Sequence, residues 1–364
     1  MTSPLHVAID GYALGDSSSF RGIGTYLRGL LSGLTEVDDV SVTVLATQRS
    51  TVPPGLAWKR IRRHAPSRWA MAEHDNRLRL DLSRVRHDVL HSPAQEPPKS
   101  SGRPWIQTLH GFLPLLGGAD DAELQKWGRM TPRIKSASAW IAVSEQTARH
   151  AVDLLELDAG RVHVIPHGVA PEFTTDGPVP DESPYLLFVG EYGPDKGFAE
   201  AMAVVAWLAS QGFPHRLKMA GRIVPWTEEP IRTAVSAAPR PDLVDLLGYV
   251  GHLTQLPALY RGASALIVTS RFESFCLPAL EAMASGVPVL AFDNSALPET
   301  LGEAGVLIPD GDVAAMGAAL ARILSSERER ERLIESGLER AMARSWKACA
   351  LRHAEVYRSV VTGS

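Results

Sequence analysis

The chain has 364 residues, a formal net charge of −4, and 45% hydrophobic against 21% charged residues. That suits about two globular domains of ~150 residues each and gives no overall pull toward nucleic acid. Two cysteines, Cys276 and Cys349, exclude a disulfide framework and favour a reducing compartment. No apolar run approaches the ~20 residues that span a bilayer, and the first residues lack the charged start and long apolar core of a secretion signal, so a cytoplasmic protein is expected.

The first half alternates short apolar runs with segments of helical period. Leu5–Ile9, Val40–Ala46, Asp88–His91, Trp105–Leu109, Trp140–Val143 and Val162–Ile165 read as parallel strands covered on both faces. Tyr26–Leu34 and Gln146–Leu155 between them carry helical spacing, which makes the pattern βαβ and the sheet doubly wound. Thr174–Pro184 holds three prolines, one glycine and three acids and reads as a linker. The alternation then resumes at Tyr185–Val189, Leu217–Ala220, Leu243–Val250, Ala265–Thr269, Val287–Phe292 and Val306–Pro309. The expected fold is α/β, with doubly wound parallel-sheet domains at 1–173 and 185–345 and a cleft between the carboxyl ends of their strands. Asp312 precedes an amphipathic helix, Glu327–Arg344 reads as a solvated charged helix, and residues 346–364 as a terminal helix.

The most informative stretch is Leu266–Phe292. An apolar β-branched run leads through a polar loop into a helix that Pro278 is suited to start, and Gly286 with Pro288 stops it. Glu273 and Glu281, eight residues apart, bracket a helix N-terminus whose free amides and dipole suit an anion such as a phosphate. Lys196, at the end of Gly190–Gly197, is a flexible point charge at a strand-to-helix junction and a suitable pyrophosphate partner. The spacing there is not a Walker loop, and neither glycine loop spells the dinucleotide fingerprint. Gly22 and Gly24, ahead of a helix from Thr25, could admit an anion to backbone amides or simply make a turn. His110 follows a strand and precedes Gly111, which places it at a ligand edge; a structural histidine is nearly as good a reading.

Metal readings are weak. His87 with His91, and His163 with His167, are four apart on strand-like stretches, where that spacing does not converge two rings. Asp310-Gly311-Asp312 stands where Asp312 is a ready helix cap. Trp58–Trp69 is basic with aromatic ends; a solvated face is favoured, and contact with an anionic membrane surface stays open.

Several separated phrases together resemble one family, the retaining GT-B glycosyltransferases of the group 1, family 4 type, which includes many bacterial polysaccharide mannosyl- and glucosyltransferases. They are RGIGTYLRGLL at Arg21–Leu31, TLHGFLPL at Thr108–Leu115, WIAVSEQTARHA at Trp140–Ala151, VHVIPHGV at Val162–Val169, FVGEYGPDKG at Phe188–Gly197 and ESFCLPALEAMASGVPVLAFDNSALPE at Glu273–Glu299. The resemblance implies that Glu273 contacts the donor sugar, that the amides of Phe275, Cys276 and Leu277 touch sugar and diphosphate, and that Glu281 binds the ribose. It places Lys196 on the diphosphate, Gly22 and Gly24 across the cleft from it, His110 near the transferred sugar, and the last helix back on the first domain. Glu273, His110 and Lys196 would then be the catalytic groups.

Three departures from the family pattern matter. Glu191 and Asp195 stand where relatives are often basic, and Ser274-Phe275-Cys276 replaces Gly-Phe-Gly. Arg222 or Arg271, both near strand ends, is expected to supply the missing positive charge. The implied reaction is metal-independent, cofactor-free transfer of a hexose with retained configuration. A GDP-sugar of mannose type is the favoured donor and a UDP-sugar the other; the acceptor would be a glycan, a lipid-linked sugar or a small molecule. A nucleotide-sugar epimerase and a non-catalytic nucleotide-sugar-binding protein are the alternatives.

Overall fold

The computed structural model describes residues 3–15, 19, 22–61, 82–93, 102–117, 119–180, 183–223 and 225–363. The chain divides into two compact units, residues 1–168 with 345–364, and residues 169–344. Among the described residues no helix is long and apolar enough to cross a membrane.

The first unit is built on a parallel sheet of β1 (Leu5–Asp10), β2 (Val40–Ala46), β3 (Ala57–Arg60), β4 (Val89–Ser92), β5 (Trp105–Leu109), β6 (Ala139–Ala142) and β7 (Val162–Val164). Their order is β3-β2-β1-β4-β5-β6-β7. Sequence patterning does not find β3, an edge strand whose Lys59 and Arg60 blunt the open side. It takes up the start of the basic Trp58–Trp69 stretch, whose part beyond Ile61 lies outside the described residues. Trp105, Trp127, Trp140 and Phe112 anchor one side of the core.

Residues 346–362 form a helix packed on the helix Gly22–Leu34, and glycine makes the approach possible. A Cβ at Gly29 would run into the Trp346 indole, and one at Gly33 into the Trp346 carbonyl. Below this seam lies a buried polar chain whose protons can be assigned from one end. His353 Nδ1 meets the Cys349 carbonyl at 2.8 Å, so it must donate there. Nε2 of His353 is then an acceptor for the Tyr26 hydroxyl at 2.9 Å. The Tyr26 oxygen accepts from Thr108 Oγ1 at 2.8 Å, and Thr108 accepts from His91 Nε2 at 2.8 Å. His91 Nδ1 accepts from the Tyr357 hydroxyl at 2.7 Å. Every member is neutral and every donor has one acceptor, so the chain needs no charge to be satisfied. Burial supports this: it pushes the His353 imidazole down to about 4 and that of His91 well below its ordinary value, and raises the Tyr26 and Tyr357 hydroxyls well above theirs.

The second unit carries β8 (Tyr185–Val189), β9 (Arg216–Ala220), β10 (Val244–Gly248), β11 (Ala265–Val268), β12 (Val289–Phe292) and β13 (Val306–Ile308). They run parallel in the order β10-β9-β8-β11-β12-β13. Leu186, Phe188, Leu217, Met219, Ile267 and Leu290 face a single core with the helices Phe198–Ser210 and Val313–Ser325. The proline-rich stretch before β8 is tied down rather than free: Arg261 donates from Nε to the Pro178 carbonyl at 3.1 Å and from Nη1 to that of Thr174 at 3.3 Å.

The histidines of the first unit make its stability acid-sensitive. Unfolded, they bind protons below about pH 6.5; folded, His353 and His110 do so only near 4. Stability present above pH ~6.5 is therefore lost as the pH falls toward 4, by up to ~1.4 kcal/mol per pH unit per histidine. Thermal melts from pH 7.5 to 4.5 should show this fall, with a shallower slope below pH 6.5 in His353→Gln.

Candidate active site

In the second unit β8 and β11 are hydrogen-bonded neighbours although β9 and β10 separate them in the chain. The connections leave this pair toward opposite edges, and the crevice beyond its carboxyl ends is where open α/β sheets hold ligands. The loops after these two strands supply the candidate site.

The loop after β8 ends in a single turn, Pro194–Lys196, followed by Gly197 at φ 63°. A Cβ at Gly197 would collide with the Thr269 carbonyl, so glycine is needed both for the left-handed turn and for the close approach to the end of β11. Thr269 Oγ1 donates to the Gly197 carbonyl at 2.7 Å, and the Arg271 amide donates to the Asp195 carbonyl at 2.8 Å. With the two loops joined in this way, Lys196 Nζ lies 2.7 Å from Glu273 Oε1. Their side chains are only 24% and 16% exposed. Burial by itself would depress the Lys196 ammonium, but the attraction and hydrogen bond of Glu273, with Asp195 adding, outweigh it and hold its pKa above the usual lysine value.

Glu273 is fixed through its backbone. Its amide donates to Ser295 Oγ at 2.8 Å and its carbonyl accepts from the Ala296 amide at 3.1 Å. Ser295, at φ 49°, donates to Asn294 Oδ1 at 2.9 Å, and Asn294 Nδ2 donates to the Ser270 carbonyl at 3.0 Å and to Asp310 Oδ1 at 2.6 Å. Asp310 thus braces the turn after β12, while Asp312 caps the helix Val313–Ser325 by accepting from the Ala315 amide at 2.8 Å. Among the described residues no group of three or more His, Cys, Asp or Glu is arranged to hold a metal ion.

Cys276 stands at the N-cap of the helix Leu277–Ala284 with φ 73° and ψ 70°, a left-handed conformation that glycine adopts without strain. Pro278 sits in the first turn, and the amides of Cys276 and Leu277 carry no hydrogen bond among the described residues. The buried thiol is pushed far above its ordinary pKa by burial, then by Glu273, and it feels the charges of both Lys196 and Glu281. Lys196 and Glu273 are thus paired with each other, and Glu281 is the fifth residue of the helix that Cys276 opens. Phe275 is buried, with its carbonyl accepting from the Thr300 hydroxyl and the Arg344 guanidinium 6.0 Å from its ring centroid.

Glu281 is 3% exposed and both its oxygens are engaged: His252 Nε2 at 2.7 Å from Oε1, the Tyr260 hydroxyl at 3.1 Å from Oε2. The two arginines part company. Arg222, on the loop after β9, is partly buried with Nη2 3.9 Å from Glu191, so the acid that would repel a diphosphate has a cation beside it. Arg271 is 68% exposed and held by Glu200 at 2.8 Å.

The remaining candidates belong to the first unit. His110 donates from Nε2 to the Pro93 carbonyl at 2.9 Å and packs edge-on to Tyr26 at 4.9 Å. Burial holds it at about pKa 4, a neutral ring with Nδ1 as its acceptor. Gly22 and Gly24 lie inside the first turn of the helix Gly22–Leu34 rather than ahead of it, and Arg21 lies outside the described residues. A Cβ at Gly22 would meet nothing within 4 Å. Sequence reasoning missed Thr269, Ser295, His252 and Tyr260. For His252 a signal existed, a Gly-His step just past a strand end, matching the strand-end position used to select His110.

Two family models cover almost the whole chain: Glycosyltransferase Family 4 over residues 20–173 and Glycosyl transferases group 1 over residues 170–340. The chain belongs to the group 1, family 4 glycosyltransferases. This group 1 chain is 31% identical over 177 residues to the O-antigen chain mannosyltransferase B of Escherichia coli, a match covering 48% of this chain and 45% of that protein. It is 26% identical over 282 residues to the MMP alpha-(1->4)-mannosyltransferase of Mycolicibacterium hassiacum, covering 71% and 66%. The chain thus spans less than two thirds of either relative. Sucrose-phosphate synthase from Thermosynechococcus elongatus shares its fold, with a TM-score of 0.81 at 21% identity over 99% of this chain and 100% of that one. The fold is GT-B.

The contrast between the arginines is testable in this glycosyltransferase. Arg222→Ala should weaken nucleoside diphosphate binding about tenfold, the worth of one charge-assisted contact, because the Arg222 charge beside Glu191 is removed. Arg271→Ala should bind within twofold of the parent by isothermal titration.

Proposed function

We propose that the chain transfers a hexose, of mannose type, from a GDP-sugar to a glycan, lipid-linked or small-molecule acceptor, with retention of configuration at the transferred carbon. The observation that carries this is the Lys196–Glu273 pair, 2.7 Å apart at the sheet switch point and beside the unbonded amides that open the helix Leu277–Ala284. The names of the two mannosyltransferase relatives favour mannose.

The chemical demand is charge. As the bond from the sugar carbon to the β-phosphate oxygen breaks, its electron pair stays on the diphosphate and positive charge grows at the sugar ring. The Lys196 ammonium has three donors, so it can hold Glu273 and still meet the departing oxygens. The Cys276 and Leu277 amides and the helix dipole add a positive field that needs no reorganisation. Glu273 faces the opposite charge and favours the cationic sugar carbon. The acceptor hydroxyl attacks from the face the diphosphate leaves and gives its proton to the departing phosphate oxygen.

The test pairs GDP-mannose and UDP-glucose with an acceptor panel and reads the anomeric coupling of the product by NMR. The α configuration is expected from the α-linked donor, and a β product overturns retention. Lys196→Ala should lower kcat/KM by about 10²–10³, or ~2.7–4 kcal/mol; activity within threefold of the parent removes Lys196 from the reaction. Epimerised donor in the absence of any acceptor would replace this reading with an epimerase.

A further inference from the structure

We propose that Asp310, Asn294 and Ser295 are positioning residues for sugar transfer: a one-way hydrogen-bond relay from the Asp310 carboxylate to the backbone amide of Glu273 fixes where the Glu273 side chain stands. This rests on the transferase reading above, in which Glu273 faces the sugar.

The direction of the relay follows from its first member. An ionised carboxylate only accepts, so Asn294 must turn its Nδ2 to Asp310 Oδ1, at 2.6 Å. The same nitrogen gives its second proton to the Ser270 carbonyl at 3.0 Å. Asn294 Oδ1 is then left facing Ser295 and takes the hydroxyl proton at 2.9 Å. With that proton committed, Ser295 Oγ can only accept where it meets Glu273, and the Glu273 amide donates to it at 2.8 Å. Turning the Asn294 amide over would set acceptor against acceptor at both Asp310 and Ser270. It would also free the Ser295 proton to point at the Glu273 N–H, donor against donor. The Glu273 carbonyl is taken as well, by the Ala296 amide at 3.1 Å. Residues 294–296 therefore hold the segment from Ser270 to Glu273 at three points.

The relay depends on a backbone conformation that serine does not favour. Ser295 has φ 49°, and among the described residues only Glu156 and Cys276 are other non-glycine residues with positive φ. Such a conformation costs stability and persists where the surroundings enforce it, which is characteristic of functional sites. Here it brings Oγ to the Glu273 amide, and the side chain that follows from that amide lies 2.7 Å from Lys196 Nζ. Asp310 is exposed, on the far side of Asn294, and reaches the pair only through the relay. A brace serving the fold alone would be felt in stability; a relay that positions Glu273 is felt in rate.

The experiment uses the full chain and measures three things: melting temperature, GDP and UDP affinity by calorimetry, and kcat and KM for transfer from GDP-mannose and UDP-glucose to the acceptor panel. Ser295→Gly is the decisive variant. Glycine takes a positive φ without strain, so this variant should melt within a few degrees of the parent. Its kcat should nevertheless fall about tenfold, inside the ~10²-fold that a 1 Å misplacement can cost, with donor KM and GDP and UDP affinity within twofold. Asp310→Ala should behave in the same way. Asn294→Asp sets a carboxylate against Asp310 and should lower kcat at least as far; adding Asp310→Asn puts a donor opposite the new acceptor, and the double variant should return to within about threefold of the parent. A kcat within twofold of the parent in Ser295→Gly and Asp310→Ala, or a double variant no better than Asn294→Asp alone, overturns the relay and leaves the transferase reading standing. Loss of rate that comes with an equal loss of nucleotide affinity or with a collapsed melting temperature assigns these residues to the fold and overturns it too. A parent that transfers from neither donor overturns the transferase reading itself, and the relay's role in transfer with it.

Discussion

A lysine and a glutamate three-quarters or more shielded from water and 2.7 Å apart are an unfavourable place to put two charges unless geometry compensates. The geometry here comes from the sheet. Because β8 and β11 are neighbours, the two loops that leave them must start side by side, and the Gly197 turn with the Thr269 hydroxyl forces them into contact. The pair is thus less a source of stability than a fixed dipole that the fold has been shaped to hold. The pinning of Glu273 by Ser295, of Ser295 by Asn294 and of Asn294 by Asp310 serves the same end from the other side of β11.

The first unit solves a different problem with similar means. Its buried hydrogen-bond chain runs from Tyr357 through His91, Thr108 and Tyr26 to His353, with no charge anywhere along it. An unsatisfied member would cost on the order of 1–3 kcal/mol, so the chain holds together only if the terminal helix is seated in one register. The Gly29 and Gly33 groove that receives Trp346 sets that register.

What could be read from the sequence follows from what is local. The strands, the helix opened by Pro278, and the positions of Lys196, Glu273 and Glu281 along the chain all depend on periodicity and turn chemistry within a dozen residues, and the structure pairs Lys196 with Glu273 and has Glu281 within the helix that follows. Partnerships between loops were out of reach. Nothing near His252 announces that it will bond a glutamate twenty-nine residues on, and a strand-end arginine does not say whether it will stand beside a loop acid, as Arg222 does by Glu191, or turn to a helix acid, as Arg271 does to Glu200. The β3 edge was hidden because a strand that blunts itself with Lys59 and Arg60 loses the apolar run by which strands are recognised.

The seating of residues 346–362 on the helix Gly22–Leu34 bears on how the protein is born. During translation the amino-terminal unit emerges first, yet Tyr26 and His91 wait for His353 and Tyr357, and the glycine groove waits for Trp346, until the intervening unit has been made. Residues 169–344 are contiguous and need no later segment for their own sheet. Domains ordinarily fold in the order of synthesis; here the second to be synthesised is the first that can be finished, and the first stays incomplete on the ribosome until the last helix arrives.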